Sequence, residues 1–495
     1  MSDLKEYLVD GYYPTIGIEC HVQLKTKTKL FSAISNEARE AEPNTLVNHI
    51  GFGMPGALPV LNEEALRLAS KAAFALGSRP QKFSKFDRKH YFYPDLPKGY
   101  QITQFDEPIV LGGEIEVVLD DGTPKTINIT RAHMEEDAGK STHPSAADYS
   151  LVDLNRAGTP LIEIVSEPEM HNSAETKAYA KELWLRMKYA DVSYADLYHG
   201  NIRFDVNVSV SKDASRLGTR SETKNLNSFR SVERAVDYEI KRQIELLEKG
   251  KEVVQETRGW LDDKQKTVSQ RTKEDAHDYR YFPDPDIPPV ILSDEYISEV
   301  EQSVPAMPSV WRQKLSGLGI DHRQTESLLE SQAEFDTDFL ELIAGSTGKQ
   351  ATTYANWVTN IEIPLWRESK DKGKELKIES SLREQVFAKV YQLVDGGKLS
   401  SNNSRSLIIE LLSSGELPKD LEKHAQDKGY IQVSDEGEIE EIVKAVIAAN
   451  PKAAQDVAAG EMKVIGFLVG QVMKQSKGKA NPALAQKIIR TQLGL

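Results

Sequence analysis

The sequence predicts an α+β protein: a mostly antiparallel-sheet domain, then an all-α helical domain, then a small helical tail domain. Three observations carry this reading. Tyr12–Leu24 and Arg203–Val210 alternate apolar and polar residues with a period of two, which puts successive side chains on opposite faces of a strand. Near Ser293 the short alternating segments and turn signals give way to helical periodicity. Close to the end, Asn450-Pro451 and Asn481-Pro482 set proline in the first turn of a helix, the one place where its missing N–H does no harm.

Taken in order, Tyr12–Leu24 puts Ile16, Ile18, Cys20, Val22 and Leu24 on one face and Gly17, Glu19, His21 and Gln23 on the other. A helix is expected over Asn62–Leu76, with Gly77 where a left-handed cap falls. Asp121-Gly122 between Glu114–Leu119 and Lys125–Thr130 signals a hairpin. Its second strand runs into Arg131-Ala132-His133-Met134-Glu135-Glu136-Asp137. Helices over Ala174–Tyr189 and Val232–Lys249, the latter followed by Gly250, bracket the strand Arg203–Val210. In that strand Phe204, Val206, Val208 and Val210 oppose Arg203, Asp205, Asn207 and Ser209. Asp284–Pro289 reads as an extended linker. Beyond it, helices are expected over Glu326–Ile343, Leu382–Val394 and Ser404–Leu412, then over Ile439–Ala449, Pro451–Ala459, Lys463–Met473 and Pro482–Leu493. At roughly 100–200 residues per domain, 495 residues imply two to four domains. The divisions expected are 1–293, 294–425 and 426–495.

Bulk composition excludes several classes. No apolar run approaches the ~20 residues of a membrane-spanning helix, so no membrane partner is expected. Met1–Glu6 lacks the apolar core of a signal peptide, and the single cysteine forbids an internal disulfide and a cysteine-based zinc site. A reducing, cytoplasmic setting is expected, with no zinc. The net charge of −14 means that nucleic acid, if bound, meets local basic patches.

Three constellations carry chemistry. Glu19 and His21 share a strand face, Asp205 lies on another polar face, and Glu135, Glu136 and Asp137 end a strand. Carboxylate oxygens in such number suit a hard cation such as Mg²⁺. A polar, solvated sheet face explains Glu19 and His21 taken alone; carboxylates on three strands weaken that explanation. The run Ser84–Asp95, with Lys98 and Tyr100, interleaves cations and aromatics in the manner of a base- or phosphate-binding surface, or of a packed loop. Asp278–Asp284 has the same character. Asn155-Arg156-Ala157-Gly158 sets a guanidinium beside free backbone N–H groups, as an anion site or an ordinary turn. Gly51-Phe52-Gly53-Met54-Pro55-Gly56 matches a dinucleotide fingerprint in spelling only, because Pro55 stands where helical N–H groups would cradle phosphate. No Walker A sequence is present.

Together these segments resemble the B subunits of the bacterial aspartyl/glutamyl-tRNA amidotransferases. The resemblance rests on Ile18–Leu24, Gly53–Val60, Ser84–Asp95, His133–Lys140, Asn155–Pro168, Lys224–Phe229, Asp278–Asp286, Gly466–Met473 and Lys477–Pro482. It implies a heterotrimer in which amidase (A) and small C subunits are the partners. It implies ATP as substrate, Mg²⁺ as cofactor, and Glu misacylated onto tRNA(Gln) or Asp onto tRNA(Asn) as acceptor. It also implies a cradle-shaped kinase domain, a helical domain and a tRNA-gripping tail. By resemblance, Glu19, His21, Glu135 and Asp205 are the expected metal ligands. Glu135, Glu136, Lys140 and Arg156 are the expected catalytic residues, and Lys85, Arg88, Tyr91, Arg203 and Asn225 the expected contacts to ATP or substrate. Lys463, Lys474, Lys477 and Lys479 are the basic tail candidates. Two departures stand out. The cysteines that some members use to bind zinc near Phe31–Gly53 are replaced, with Ser32, Ser35 and Asn48 in that stretch. The family's Glu-Gly-Ser-Leu-Arg-Cys-Asp becomes His199-Gly200-Asn201-Ile202-Arg203-Phe204-Asp205. That change motivates an alternative, a tRNA-binding scaffold without catalysis; a lone metal-dependent phosphohydrolase is a third reading.

Overall fold

The computed structural model describes residues 4–144, 148–272, 279–374, 376–431, 436–476 and 480–495. The positions Asp278, Lys477 and Lys479 named above lie outside them. The chain divides into two compact units, Met1–Val310 and Trp311–Leu495. Among the described residues no helix is long and apolar enough to cross a membrane.

The first unit is built on a large sheet. Its strands begin with β1 (Tyr13–Gln23), β2 (Phe83–Ser84), β3 (Asp87–His90) and β4 (Tyr100–Thr103). They continue with β5 (Val110–Leu111), β6 (Glu114–Val118), β7 (Pro124–Glu136), β8 (Lys140–Thr142) and β9 (Leu151–Asp153). Then come β10 (Pro160–Ser166), β11 (Ile202–Ser211), β12 (Ser221–Leu226), β13 (Glu256–Leu261), β14 (Lys266–Thr272), β15 (Arg280–Pro283) and β16 (Val290–Ile291). The order across the main sheet is β14-β13-β12-β11-β1-β10-β7-β4-β3-β15, with β5 and β6 also on β7. Every pairing along it is antiparallel except β12 with β13. The expected hairpin forms between β6 and β7, and β7 extends through Glu136 as one thirteen-residue strand.

Alternation decides which face is which. Ile16, Ile18, Cys20, Val22 and Leu24 are almost wholly buried. They share one core with Leu68 and Ala72 of α1 (Glu63–Ala75), Tyr179 and Leu183 of α2 (Ser173–Tyr189), and Val232 and Val236 of α3 (Phe229–Glu248). Each such side chain stabilises the fold by roughly 1.5–3 kcal/mol, and a one-residue slip of β1 would turn all five outward. The polar face is thereby fixed opposite the helices. Asn62, Asn172 and Ser228 cap the three helices by accepting N–H bonds from their first turns.

The segment Asp284–Pro289 is not a free linker. β15 pairs with β3, the Asp284 N–H donates to the Phe86 carbonyl, and Ile287 joins the core. The apolar Ile287, Val290 and Leu292, with β16 on β2, hold this stretch against the first unit. A further helix, α4 (Asp294–Gln302), adds Ile297 to the same core.

In the second unit the single helix expected over Glu326–Ile343 is two, His322–Phe335 and Phe339–Ala344. Asp336 ends the first in a left-handed conformation. Thr337 and Asp338 then turn to the buried Arg383, whose Nε also donates to Glu362 Oε1 at 2.8 Å. Periodicity did not reveal this break because the apolar spacing continues across it. Helices Ser380–Asp395 and Ser401–Ser414 form where expected. The final helices, Glu436–Ala449, Pro451–Ala458, Ile465–Gln475 and Pro482–Gln492, enclose a core of Ile439, Val443, Val457, Leu468, Val472 and Ile489.

Gly77 closes α1 at φ +69°, and a Cβ there would lie 2.4 Å from the Glu114 carbonyl oxygen. Gly77→Ala is therefore expected to destabilise the first unit by about 2 kcal/mol or more, read as a lowered urea midpoint at unchanged slope.

Candidate metal centre and active site

The site is a consequence of register. Position for position, His21 on β1 faces Arg203 on β11 and Glu163 on β10. Glu163 in turn faces His133 on β7. One row across the sheet thus reads Arg203, His21, Glu163, His133. Two residues further along β7, Glu135 stands on the same face opposite Leu161 and Thr103.

These side chains converge. His21 Nε2 lies 3.3 Å from Glu163 Oε2 and 3.7 Å from Glu135 Oε1. His133 Nε2 lies 3.4 Å from Glu163 Oε2 and 3.8 Å from Glu135 Oε2. Ligand atoms of His21, Glu135 and Glu163 all fall within 4.8 Å of one another. Burial alone would lower both imidazole pKa values, but the charge of Glu163, joined by Glu135, outweighs it and raises each to about 9. Burial likewise would raise Glu163, yet His133 and His21 hold it well below the usual carboxylate range.

Cations rim the cluster. Burial would lower the Lys89 ammonium, but Glu135 and neighbouring groups raise it, and its Nζ sits 4.7 Å from the centre of the Tyr279 ring. Arg203 Nη2 donates to Asp137 Oδ2 at 2.8 Å, and that contact raises its pKa. Arg156 Nε lies 3.5 Å from the same carboxylate and also donates to the Ala138 carbonyl, while Nη2 donates to that of Gly139.

The other expected site residues divide by location. Tyr91 stands edge-on to Tyr279, where burial and then Glu135 push its hydroxyl pKa up. Glu19 lies one step along β1, accepts from Asn207 Nδ2 at 3.0 Å, and is raised by burial and by Glu163. Asp205 is held at 2.7 Å by Lys224, which Glu222 also contacts. Neither Glu19 nor Asp205 belongs to the three-ligand group. Glu136 follows Glu135 by one residue and so turns away; it binds the Lys98 ammonium and accepts the Ile102 N–H at 3.0 Å. Lys85 pairs with Asp106, and Arg88 with the buried Asp284 and with Asp286, stacked over Tyr100. Lys140 is exposed on β8, and Asn225 is exposed at φ +66° on β12. Sequence reasoning did not single out His133, Lys89 or Lys224, and Glu163 entered it only within the stretch Asn155–Pro168. The alternation of His133 and Glu135 around Met134, and of Glu163 between Ile162 and Ile164, was the available signal.

An antiparallel-sheet unit with a histidine-bearing acidic cluster on its polar face, followed by helical segments, has the make-up of a catalytic domain carried by a longer chain. Residues 14–298 match the GatB/GatE catalytic domain, and residues 338–493 match the GatB domain. The B subunit of the aspartyl/glutamyl-tRNA(Asn/Gln) amidotransferase of Thermotoga maritima is 43% identical over 490 residues, which cover 97% of this chain and 99% of that protein. The B subunits of the Carboxydothermus hydrogenoformans and Persephonella marina enzymes are 42% and 44% identical, with the same shares covered. The chain belongs to the family of aspartyl/glutamyl-tRNA(Asn/Gln) amidotransferase B subunits, components of a ligase complex.

The histidine pair sets a pH dependence. Both folded-state values, about 9, exceed the ordinary 6.5, so their stabilisation is complete below pH 6.5 and is lost as pH rises through 9. In chelator-treated protein the melting temperature is expected to fall between pH 7 and 9.5, and His133→Asn to flatten that slope. An equal slope in wild type and variant would remove His133 from the cluster's electrostatics.

Proposed function

We propose that the first unit activates the side-chain carboxylate of Glu on tRNA(Gln), or of Asp on tRNA(Asn), with ATP. In this reaction the acceptor carboxylate oxygen attacks the γ-phosphorus, the bond to the β–γ bridging oxygen breaks, and ADP leaves. Ammonia from a glutaminase partner then attacks the acyl carbon, phosphate departs, and a proton is lost from nitrogen to leave the amide. A free carboxylate holds no good leaving group, whereas an acyl phosphate does.

The cluster of His21, Glu135 and Glu163 is the observation that supports this most. The imidazoles of His21 and of the adjacent His133 are drawn to about pKa 9, which marks a position where a cation is favoured. One nitrogen and two carboxylate oxygens within 4.8 Å suit Mg²⁺ and leave positions for water or phosphate. These three residues would hold the ion, with Glu19 and Asp205 as further candidates beside them. When bound, Mg²⁺ neutralises charge on the transferring phosphoryl group. The protein's own cations do the rest. Lys89 and Arg203 border the cluster, where they orient anionic groups and offset their charge. Burial at the sheet face lowers the local dielectric and strengthens each of these attractions.

The same reading assigns amidase and small C subunits as partners, a cytoplasmic location and no zinc. It assigns the helices that follow the first unit, up to residue 425, to a helical domain and 426–495 to a tRNA-binding tail, with Lys463 and Lys474 as basic contacts. A scaffold role without catalysis is the second reading, favoured by the altered Tyr198–Asn201 segment. A scaffold complex would bind tRNA yet release no ADP.

Glu135→Gln and Glu163→Gln, each in the assembled complex, are expected to reduce ATP-dependent amidation of misacylated tRNA by roughly a hundredfold or more while assembly survives. The measurement is amidated aminoacyl-tRNA per unit time with ATP and glutamine supplied. Wild-type rates in both variants would take the cluster out of the mechanism.

A further inference from the structure

We infer that Lys29 is a positioning residue: its side chain fixes the loop that carries Arg156 and, through that loop, the Asp137–Arg203 pair beside His21. This rests on the function proposed above, in which the cations around the cluster must keep their places while charge moves. Lys29 acts through backbone groups and not on the substrate.

The residue lies in the stretch that follows β1 and is only 5% exposed. Its Nζ donates to the Leu46 and Ala157 carbonyls at 2.6 Å each. Those two carbonyls belong to loops far apart in the sequence. The main chain repeats the tie, since the Leu30 N–H donates to the Gly158 carbonyl at 2.9 Å. Gly158 packs so closely that a Cβ there would lie 3.3 Å from Lys29 Cδ. Free space beside these groups amounts to about 20 Å³, room for about one water. A side chain without donors at position 29 would cut both carbonyl ties at once.

The tethered loop leads to the chemistry. Ala157 stands between Arg156 and Gly158. Arg156 Nε donates to the Ala138 carbonyl at 3.0 Å, and Nη2 to that of Gly139 at 2.7 Å. The Gly158 N–H donates to the Asp137 carbonyl at 2.9 Å, and the Asp137 N–H to that of Thr159 at 2.8 Å. Asp137 Oδ2 accepts from Arg203 Nη2 at 2.8 Å, and Arg203 stands across from His21 in the sheet. A shift of Ala157 is therefore passed to two guanidinium groups through short bonds, and small misplacements beside a reacting group cost rate steeply. A lysine with a structural role alone would lower stability when removed and leave the turnover of folded enzyme unchanged.

Burial brings the Lys29 ammonium down to about 8, against the pull of Glu136 on β7 and Asp153 on β9. Lys98, bound to Glu136, lines the same space. When the loop opens, the ordinary value of 10.5 returns. Closing it then releases a proton, so closure strengthens as pH rises from 7 to 9.

The test uses the assembled complex with Lys29→Met, which removes the donors at similar length, and with Lys29→Arg, which keeps them. Expected are a roughly tenfold loss of kcat in Lys29→Met, KM values for ATP and for misacylated tRNA within about twofold of wild type, and partial recovery of kcat in Lys29→Arg. A wild-type kcat in folded Lys29→Met overturns the inference, as does a change confined to KM. Hydrogen exchange needs no activity. In the wild-type complex the Leu46 and Gly158 amides are expected to gain roughly tenfold protection between pH 7 and 9, corrected for intrinsic rate and relative to the Ile162 amide. Lys29→Met is expected to lose that gain. Its absence in wild type overturns the inference even where the variant fails to assemble. If the wild-type complex makes no amide yet shows this exchange, the functional reading fails and the hold of Lys29 on the loop stands.

Discussion

Everything at the site depends on the seating of β1 between β10 and β11. Its five inward side chains are locked against three helices, and that locking leaves Glu19, His21 and Gln23 no choice of face. The antiparallel neighbours then bring Arg203 and Glu163 to either side of His21, and β7 supplies His133 and Glu135. A strand slip of one residue would exchange His21 for a core position, so the hydrophobic pattern that stabilises the sheet also sets which side chains meet in the cluster.

Charged groups on this sheet fall into two kinds, and distance separates them. Arg88 meets Asp284 at 2.8 Å and Lys224 meets Asp205 at 2.7 Å, each a directed hydrogen bond. Glu136, bound to Lys98, belongs with them. Such pairs are directed contacts that tie β3, β7, β11 and β12 to the groups beside them. The His21, His133, Glu135 and Glu163 contacts run from 3.3 to 3.8 Å, longer than directed bonds of this type. These four surround a common space rather than close on one another. Buried charges with incomplete partners are unfavourable in a purely structural role, and that is the physical ground for resting the proposed function on this cluster.

Much of this was legible in the sequence, for a definite reason. Period-two alternation identified the faces of β1 and β11, because one face of each is buried and the other is not. The helix ends at Gly77 and Gly250 followed from the left-handed conformation that glycine adopts there. What alternation cannot supply is the lateral order of strands. His133 and Glu163 lie thirty residues apart, and only the pairing of β7 with β10 makes them neighbours. For the same reason Glu136 seemed equivalent to Glu135, although one residue of offset sends it to the opposite face. Asp284–Pro289 misled through composition: its prolines suggest an exposed tether, while Ile287 and the bonded Asp284 carry it into the core.

The loops beside the site pose a separate problem, since the chain's one cysteine is buried in the core and cannot help to order them. Side-chain amides take over the task. Asn44 donates to the Val152 carbonyl at 3.0 Å and accepts the Leu154 N–H at 2.8 Å. Asn155 answers in the other direction, accepting the Leu46 N–H and donating to the Glu42 carbonyl. Lys29, which burial pushes down to about 8, bridges the Leu46 and Ala157 carbonyls at 2.6 Å each. These bonds tie residues 42–46 to residues 152–157, the stretch that carries Asp153 and Arg156. Each gives a loop backbone group a partner within the protein, at a net stabilisation of about 1 kcal/mol apiece. Ordered in this way, the stretch holds Arg156 by hydrogen bonds between this chain's own groups.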